Sequence, residues 1–321
     1  MSQDQRVVTV TINPVIDQTV AIPNFTPGMV NRVEYSQLDA GGKGINVASF
    51  LRDLGYATTV TGFLGAENDE IFRRFFARKG IEDRFLTIPG HTRTGVKIID
   101  EAKRQTTDIN FPGQTPEPAH IARLFEIVRE LALSTEWFVL SGSIPPGVSS
   151  EIYRELVTAL VGKNVVLDTS GEGFRQALAA SPRIIKPNVQ ELQEFVGESI
   201  DTPSAILEHA RAIINQYGIA TVVVSLGKRG AIFVEGTDAI WAIPGEVEVK
   251  STVGAGDAMV AGIVAGKLQG LALAECARLA TAFSMDALTH IGSGLSSPQA
   301  VHAAQGRIVL HSLQAQQLAK A

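Results

Sequence analysis

A chain of 321 residues with 45% hydrophobic residues, 19% charged residues and a formal net charge of −5 has the composition of a globular protein. The charge is mildly acidic and no long run of Lys and Arg is present, which argues against nucleic acid as a partner. Cys276 is the only cysteine, so an intrachain disulfide and a cysteine-based zinc site are both excluded.

No targeting segment or membrane span is expected. Polar residues 1–6 precede a β-branched run rather than the apolar core of a signal peptide. The longest apolar region, residues 258–288, is interrupted by Lys267, Glu275 and Arg278, so it is not predicted to cross a membrane. These features predict a cytoplasmic protein that has no membrane partner.

The first third of the chain alternates between strands and helices, apart from two stretches that contain strands only. Asp17 is expected in a loop after the first strand, and residues 19–22 and 30–35 are expected to form an antiparallel pair. The other predicted strands are 6–12, 58–63, 95–99 and 105–110, and the predicted helices are 69–79 and one that opens within 39–46 and ends at Gly55. We hypothesise that the strand-only stretches, 18–38 and 91–112, pair into a small sheet over a cleft.

Beyond residue 117 the alternation becomes regular. The predicted helices are 118–133, 150–161, 189–196 and 204–217, and the predicted strands are 137–140, 165–167, 184–185, 221–225, 231–235 and 239–243. Residues 311–321 are expected to form a helical tail. Strands that alternate with helices predict a mostly parallel sheet covered by helices, in which ligands bind beyond the carboxyl ends of the strands.

The most informative stretch is Gly254-Ala255-Gly256-Asp257, which precedes an apolar run typical of a helix. The first turn of a helix exposes N–H groups and carries partial positive charge, so an anion can bind there and Asp257 would lie beside it as a base. The alternative is a tight turn in which the acid only favours the helix N-terminus. These residues alone leave both interpretations open.

A second glycine-rich loop, residues 41–46, matches neither the nucleotide P-loop nor the dinucleotide motif. It could let a small polyol approach the backbone, with Lys43 and Asn46 as donors, or it could be a tight turn for close packing. Arg93 could bind a phosphate in a bidentate manner or be an ordinary surface arginine.

Asn188 and Glu191 are spaced as a helix capping box, which is the favoured interpretation. In the alternative interpretation, Glu191 holds a water bound to Mg²⁺ and Asn188 faces nucleotide phosphates. The segment that starts at Ser141 lacks the Gly-x-Ser-x-Gly elbow of serine hydrolases, and the six histidines lack metal-binding spacing.

In combination, these motifs resemble the ribokinase/PfkB family of ATP-dependent carbohydrate kinases over nearly the whole chain. Residues 40–48, with Gly55 and Gly65, resemble the first family signature, and residues 251–257, running into Ala261 and Gly262, resemble the second. Residues 13–17, 141–147 and 186–191 resemble the phosphosugar branch of the family.

The resemblance implies a ribokinase-like three-layer α/β/α fold with a mostly parallel central sheet and a small β-sheet lid. The main α/β domain would comprise residues 1–17, 39–90 and 113–321, and the lid would comprise residues 18–38 and 91–112. The family's lid also commonly forms a dimer clasp, so a homodimer through the lid is expected.

The resemblance also implies roles for individual residues. Asp257 would be the catalytic base, and the N–H groups of Gly254, Ala255 and Gly256 would form an anion hole for the transferring phosphate. The substrate would be bound by Asp17, Gly42, Lys43, Asn46, Arg93 and Ser141. ATP and Mg²⁺ would be served by Lys186, Asn188, Glu191, Ser225, Leu226, Gly227, Lys228, Arg229 and Gly230, with Glu191 reaching the metal through water. The helix dipole is expected to keep Asp257 ionised, as a weak base.

The implied activity is transfer of the ATP γ-phosphate to a hydroxyl of a ketohexose phosphate. Fructose 1-phosphate, giving fructose 1,6-bisphosphate, is the leading substrate, and the alternatives are tagatose 6-phosphate and fructose 6-phosphate. A non-catalytic sugar- or nucleotide-binding module is the alternative of another class, but the intact Gly254 to Asp257 segment argues against it.

Overall fold

The computed structural model describes residues 6–313, which form fifteen strands and ten α-helices. The strands in chain order are β1 (Arg6–Thr11), β2 (Val15–Ala21), β3 (Tyr35–Gly41), β4 (Ala57–Gly65), β5 (Glu82–Asp83), β6 (Leu86–Ile88), β7 (Thr94–Asp100), β8 (Gln105–Asn110), β9 (Trp137–Ser141), β10 (Asn164–Asp168), β11 (Ile184–Ile185), β12 (Thr221–Ser225), β13 (Ala231–Glu235), β14 (Asp238–Ile243) and β15 (Val309–Ser312). The helices are α1 (Lys43–Asp53), α2 (Glu70–Lys79), α3 (Pro118–Ala132), α4 (Ile152–Ala159), α5 (Gly171–Leu178), α6 (Val189–Val196), α7 (Pro203–Tyr217), α8 (Ala255–Leu268), α9 (Leu273–Ala287) and α10 (Pro298–Gln305).

Eleven of the strands form one large sheet. Its order is β15-β14-β13-β12-β11-β10-β9-β1-β4-β5, and β6 pairs with β4. The strands from β5 to β12 along this order are parallel, whereas β13, β14 and β15 add an antiparallel edge. The parallel arrangement brings the carboxyl ends of β1, β9, β10, β11 and β12 to one edge of the sheet, where ligands of such folds bind.

Helices cover both faces of the large sheet, because its central strands are apolar on both sides. In β1, Val8 and Val10 pack into a core formed with α3 to α7, while Val7 packs into a second core formed with α1, α8, α9 and α10. Phe174 lies in the first of these cores and Phe283 in the second, both nearly inaccessible to solvent. The result is the three-layer α/β/α arrangement expected from the alternating pattern.

The remaining four strands form a separate small sheet in the order β3-β2-β7-β8. Strand β2 pairs with β3 in the antiparallel direction and with β7 in the parallel direction, so that Asp17 lies opposite Asp39 on one side and Gly95 on the other. Strands from both strand-only stretches therefore meet in one sheet. The division of the chain into domains at residues 18–38 and 91–112 stays a prediction.

Several predicted elements differ from the structure. Asp17 lies within β2 rather than in a loop, and the partner strand begins at Tyr35, where the predicted strand ended. Residues 30–34 do not form the partner strand, because β2 pairs with residues 35–41 and Asp17 lies opposite Asp39. Consequently the next helix begins at Lys43, after the strand has ended at Gly41.

Two further differences concern elements near α5 and the C-terminus. Helix α5 was not predicted, since Gly171 and Gly173 within it are poor helix formers. The predicted helical tail is wrong for His311 and Ser312, which pair with β14 as part of β15. Residues 314–321 of that predicted tail lie outside the described residues. Between residues 6 and 313, no helix is both long enough and apolar enough to cross a membrane.

Candidate active site

The N-terminus of α8 lies at the centre of the candidate site. Gly254, the N-cap residue, has a φ of 77°, a left-handed conformation that glycine adopts without a steric penalty. The first hydrogen bond of the helix runs from the N–H of Ala258 to the carbonyl of Gly254 at 2.7 Å. The preceding N–H groups therefore have no intrahelical acceptor, and they form a positively polarised surface that favours an anion.

Asp257 lies in the first turn of α8 and is 7% exposed. Its Oδ2 accepts a hydrogen bond from Nδ2 of Asn46, at 2.7 Å, which joins α8 to α1. Burial raises the pKa of the carboxyl to about 6, although Lys43, Asn46 and Lys186 act to lower it. Desolvation therefore outweighs the stabilising charges, and Asp257 is a stronger base than the helix dipole alone predicts, while still largely ionised at neutral pH.

A cavity between the small sheet and the start of α8, here called the small-sheet cavity, is lined by polar groups from both. Its lining residues are Asp17, Thr19, Asp39, Ala40, Asn46, Lys97, Ile99, Ser251, Val253, Gly254, Ile291, Gly292 and Ser293. Burial raises the pKa of Asp17 to about 6, and the nearby Asp39 and Asp257 raise it further, against Lys97 and Arg93. The cavity thus presents carboxylates and an amide, the acceptors and donors that bind hydroxyl groups.

The glycine-rich loop before α1 packs closely against this cavity. A Cβ on Gly41 would lie 2.1 Å from Oδ2 of Asp17, so only glycine leaves room for that carboxylate. Gly42 has a φ of 128° and a Cβ there would lie 3.2 Å from Cα of Pro14. The loop is therefore a tight turn that packs closely, and it leads into α1, which brings Asn46 beside Asp257. The approach of a polyol to its backbone stays a prediction.

Arg93 lies in the loop before β7, near Asp17. Its Nη1 and Nη2 atoms reach the carbonyls of Phe111 and Asn13 only at 3.5 and 3.4 Å, and its Nε is buried without a hydrogen-bond partner among residues 6–313. Burial lowers the pKa of this guanidinium. A half-buried guanidinium with weak internal contacts has donors left for an external anion. The hydroxyl of Ser141 is fully buried and also lacks a partner within the described chain.

A second cavity of about 640 Å³, here called the α9 cavity, lies on the other side of the α8 N-terminus. It is lined by Gly227, Lys228, Gly230, Pro244, Gly245, Glu246, Val247, Val249, Thr252, Ala255, Met259, Thr281, Ser284, Met285 and Leu288. Three of the nine residues predicted for the nucleotide and its metal line it, whereas the other six do not: Lys186, Asn188, Glu191, Ser225, Leu226 and Arg229. Leu226 is buried, and the N–H of Ser225 donates to the carbonyl of Pro187.

The walls that α9 contributes to this cavity were missed from the sequence. Thr281, Ser284 and Met285 belong to one helix, and they reach the cavity only because α9 packs along α8. No local motif distinguishes these three residues from other helix residues, so only the fold could reveal them.

The capping box at α6 is present in both directions. The N–H of Glu191 donates to Oδ1 of Asn188 at 2.9 Å, and the N–H of Asn188 donates to Oε2 of Glu191 at 2.8 Å. The favoured interpretation of this pair is therefore confirmed as local structure. The second carboxylate oxygen of Glu191 remains available for a water molecule.

Asp168, at the end of β10, is a charged residue that the sequence analysis missed. Its Oδ2 lies 3.3 Å from Nζ of Lys43, and its Oδ1 lies 3.1 Å from Nζ of Lys186. Both contacts are ion pairs, and their geometry does not meet the angular requirement for a hydrogen bond. Asp168 lies at the carboxyl end of β10, as Ser141 and Lys186 lie at the carboxyl ends of β9 and β11. Because ligands of parallel sheets bind at these strand ends, the position of Asp168 could have identified it as a candidate.

A mostly parallel α/β/α fold, with a buried carboxylate at a helix N-terminus between two cavities, defines the class of ribokinase-like phosphotransferases. The family model described as pfkB family carbohydrate kinase matches residues 7–300, and the chain belongs to this family. The family resemblance and the fold class predicted from the sequence are both confirmed.

Individual relatives are similar along almost their entire length. The chain is 46% identical to 1-phosphofructokinase of Rhodobacter capsulatus, over 96% of this chain and 98% of the relative. It is 37% identical to 1-phosphofructokinase of Escherichia coli K12, over 95% and 98% respectively. The structure of phosphofructokinase-2 from Escherichia coli in complex with substrates and products superposes with a TM-score of 0.88 at 29% identity, covering 94% of this chain and 98% of that one.

Proposed function

We propose that this chain transfers the γ-phosphate of ATP to fructose 1-phosphate, giving fructose 1,6-bisphosphate and ADP. The observation that carries the proposal is the position of Asp257, buried in the first turn of α8, where Gly254 lines the small-sheet cavity and Ala255 lines the α9 cavity. Such a site can hold an acceptor on one side and a nucleotide on the other. The substrate is inferred from the 1-phosphofructokinases to which the chain is similar.

In the proposed reaction, Asp257 accepts the proton of the sugar hydroxyl while that oxygen forms a bond to the γ-phosphorus. The bond between the γ-phosphorus and its bridging oxygen breaks, and ADP leaves with that oxygen. The N–H groups of Gly254, Ala255 and Gly256 face the charge on the transferring group. No protein nucleophile is required, because phosphoryl transfer depends mainly on positioning and electrostatic stabilisation.

The remaining roles follow from the two cavities. Asp17, Gly42 and Asn46 would bind sugar hydroxyls, while Lys43, Arg93 and Ser141 would lie near the sugar or its existing phosphate. Lys186, Asn188 and residues 225–230 would serve the nucleotide, although Ser225, Leu226 and Arg229 would contribute only by shaping the loop that carries Gly227, Lys228 and Gly230.

The residues present fit a magnesium ion that is held mostly by the nucleotide. Residues 6–313 contain no group of three or more His, Cys, Asp or Glu side chains arranged for a metal, and Mg²⁺ in kinases is usually bound by one or two carboxylates, substrate phosphates and water. Glu191 would hold it through a water molecule. When bound, the ion would neutralise charge on the phosphates.

The substrate assignment is tested by measuring ADP release with Mg·ATP and four acceptors in parallel: fructose 1-phosphate, tagatose 6-phosphate, fructose 6-phosphate and fructose. The highest kcat/KM is expected with fructose 1-phosphate. A higher value with either 6-phosphate would reassign the substrate within the family. Absence of turnover with every phosphosugar would reject the proposed function.

The rate should depend on pH through the raised pKa of Asp257. The base must be ionised, so kcat/KM is expected to be constant at neutral pH and to fall about tenfold per pH unit below about 6. Burial raises the pKa of Asp17 to about 6 as well, so the fall in kcat/KM can be steeper than for one group if both carboxyls must be ionised. A kcat/KM profile that stays flat down to about pH 5 would contradict the burial-raised pKa of Asp257.

We further infer a homodimer through the small sheet. Its outward face, opposite the small-sheet cavity, exposes large apolar side chains, with Leu38 54% and Ile109 45% accessible, and the loop before β3 exposes Val30 at 88%. Exposed apolar groups clustered in this way are typical of an interface between protein chains.

This inference predicts that Leu38→Arg separates the subunits. In a two-fold interface each substitution is introduced twice, and juxtaposed like charges cost several kcal/mol, roughly 2–5. Sedimentation should therefore shift from the mass of a dimer to that of a monomer. Leu133→Arg, at an 89% exposed residue that follows α3, is the matched control and should leave the mass unchanged. A monomeric wild-type chain would reject the interface. A cytoplasmic location stays a prediction.

A further inference from the structure

Asp168 is the most deeply buried charge of the site and has no role in the mechanism above. Its side chain is 1% exposed, and that of Lys186 is 5% exposed. Burial opposes ionisation of Asp168, but Lys186 and Lys43 overcome it and hold the pKa of the carboxyl below its usual value. Asp168 is therefore an ionised carboxylate shared by two ammonium groups.

Such an arrangement is poorly explained by stability alone. Transfer of one ion from water to a protein interior costs on the order of several kcal/mol, even after the protein relaxes around it. A buried ion pair therefore often contributes no more to folding stability than apolar residues of the same size. The apolar core on the same face of β10 as Asp168, which includes Val166 and Val139, would accommodate a neutral side chain. A positional role for the charge is the better explanation.

The two lysines come from opposite sides of the reaction centre. Lys43 is the first residue of α1 and follows the glycine-rich loop of the small-sheet cavity. Lys186 follows β11 and precedes the capping box of α6, and its Nζ lies 3.7 Å from the position that a Cβ on Gly256 would occupy. Asp168 therefore links a group on the acceptor side to a group beside the proposed anion hole.

We propose that Asp168 is a positioning residue, which holds Lys43 and Lys186 together beside the N-terminus of α8 so that both ammonium groups face the phosphate being transferred. This inference rests on the proposed function. Asp168 does not touch the reacting atoms, and it acts through the two lysines. Without its charge the two ammonium groups would repel each other and leave their positions.

The same charge also acts on the base. Asp257 is surrounded by Lys43, Lys186 and Asp168, with Asn46 as its hydrogen-bond donor, and Asp17 lies across the small-sheet cavity. Asp168 raises the pKa of Asp257, whereas Lys43 and Lys186 lower it. If the lysines leave their positions when the Asp168 charge is removed, Asp257 loses two charges that lower its pKa and one that raises it, so the pKa of Asp257 should rise. Removing the Lys186 charge alone should also raise it.

The test compares Asp168→Asn with Lys186→Met by steady-state kinetics as a function of pH. Misplacement of a positioned group by about 1 Å can cost roughly 10²-fold, so kcat of Asp168→Asn should fall about 10–100-fold. The acid limbs of the kcat/KM profiles of both variants should move to higher pH. A shift to lower pH in Asp168→Asn would show that the lysines keep their positions without the Asp168 charge, and would overturn the positioning role. A purely structural role would lower activity without moving the limb.

Asp286→Asn is the matched control, since Asp286 is another carboxyl only 4% exposed, which hydrogen-bonds Ser296 rather than a site lysine. Its acid limb should stay at the wild-type position. If Asp168→Asn does not fold, the upward shift in Lys186→Met still tests the charge arrangement.

The outcomes separate the two proposals. The wild type could turn over a phosphosugar while Asp168→Asn keeps the wild-type kcat and the wild-type acid limb of the pH profile. That result would overturn the positioning role of Asp168 but not the proposed function. A wild-type chain that releases no ADP with any phosphosugar would overturn the proposed function and this inference with it. An unmoved limb in Lys186→Met would also overturn the charge arrangement.

Discussion

Replacing Asp257 with asparagine is expected to lower kcat about 10²–10⁴-fold, the range that a general base contributes. The amide keeps the size of the side chain and can still contact Asn46, but it cannot accept the proton of the sugar hydroxyl. The KM for both substrates should change little, because neither cavity loses a wall. Steady-state ADP release, together with nucleotide affinity measured by calorimetry, checks both halves of the expectation.

Glu275→Gln provides a matched control for this substitution. Glu275 occupies the third position of α9, as Asp257 does in α8, but it is exposed, whereas Asp257 is buried beside Asn46. If Asp257 only stabilised its helix through the dipole, the two substitutions should have similar small effects. Retention of most activity in Asp257→Asn would reject its assignment as the base.

Replacing Arg93 with alanine is expected to lower kcat/KM for the phosphosugar about 10–100-fold, mostly through KM. A hydrogen bond to a charged group contributes about 1.5–3 kcal/mol, and each ~1.4 kcal/mol corresponds to a factor of ten. The internal hydrogen bonds of the guanidinium, at 3.4 and 3.5 Å, are long, so its donors remain available for such a ligand. The KM for ATP should stay the same.

Two comparisons make the Arg93 result specific. Arg93→Lys keeps the charge but loses the planar fork, so it should recover only part of the activity. Arg104→Asn removes an exposed arginine from the turn between β7 and β8, where asparagine tolerates the positive φ of 51°, and it should behave as wild type. An unchanged KM for the phosphosugar in Arg93→Ala would show that its phosphate binds elsewhere.

The centre of the site is predictable from sequence because its parts are short and contiguous. Gly254, Ala255, Gly256 and Asp257 follow one another, and the unsatisfied N–H groups of a helix start are a property of any helix. The capping box of Asn188 and Glu191 is predictable for the same reason. In both cases four consecutive residues are enough to predict the local structure.

The rest depends on distances that sequence does not contain. Asp168 meets Lys43 and Lys186 only because the parallel sheet brings the ends of β10 and β11 beside the start of α1. The raised pKa of Asp257 likewise arises from burial by elements remote in the chain, which outweighs the local helix dipole. The limits of β3 were misjudged because alternation within 30–35 resembles a strand, while pairing with β2 decides the register.

The position of Asp17 on the small sheet has one further consequence. Asp17 belongs to β2, whereas Gly254 begins a helix that packs on the large sheet, and both residues line the small-sheet cavity. A molecule that fills this cavity must therefore contact both the small sheet and the N-terminus of α8. Coupling free energies are reciprocal, so if the bound molecule favours one position of the small sheet, whatever holds the sheet in that position strengthens binding of the molecule by the same factor. If the small sheet joins two subunits, dimerisation and sugar binding are coupled. The apparent dimerisation constant would then depend on the sugar concentration, and the apparent sugar affinity on the protein concentration.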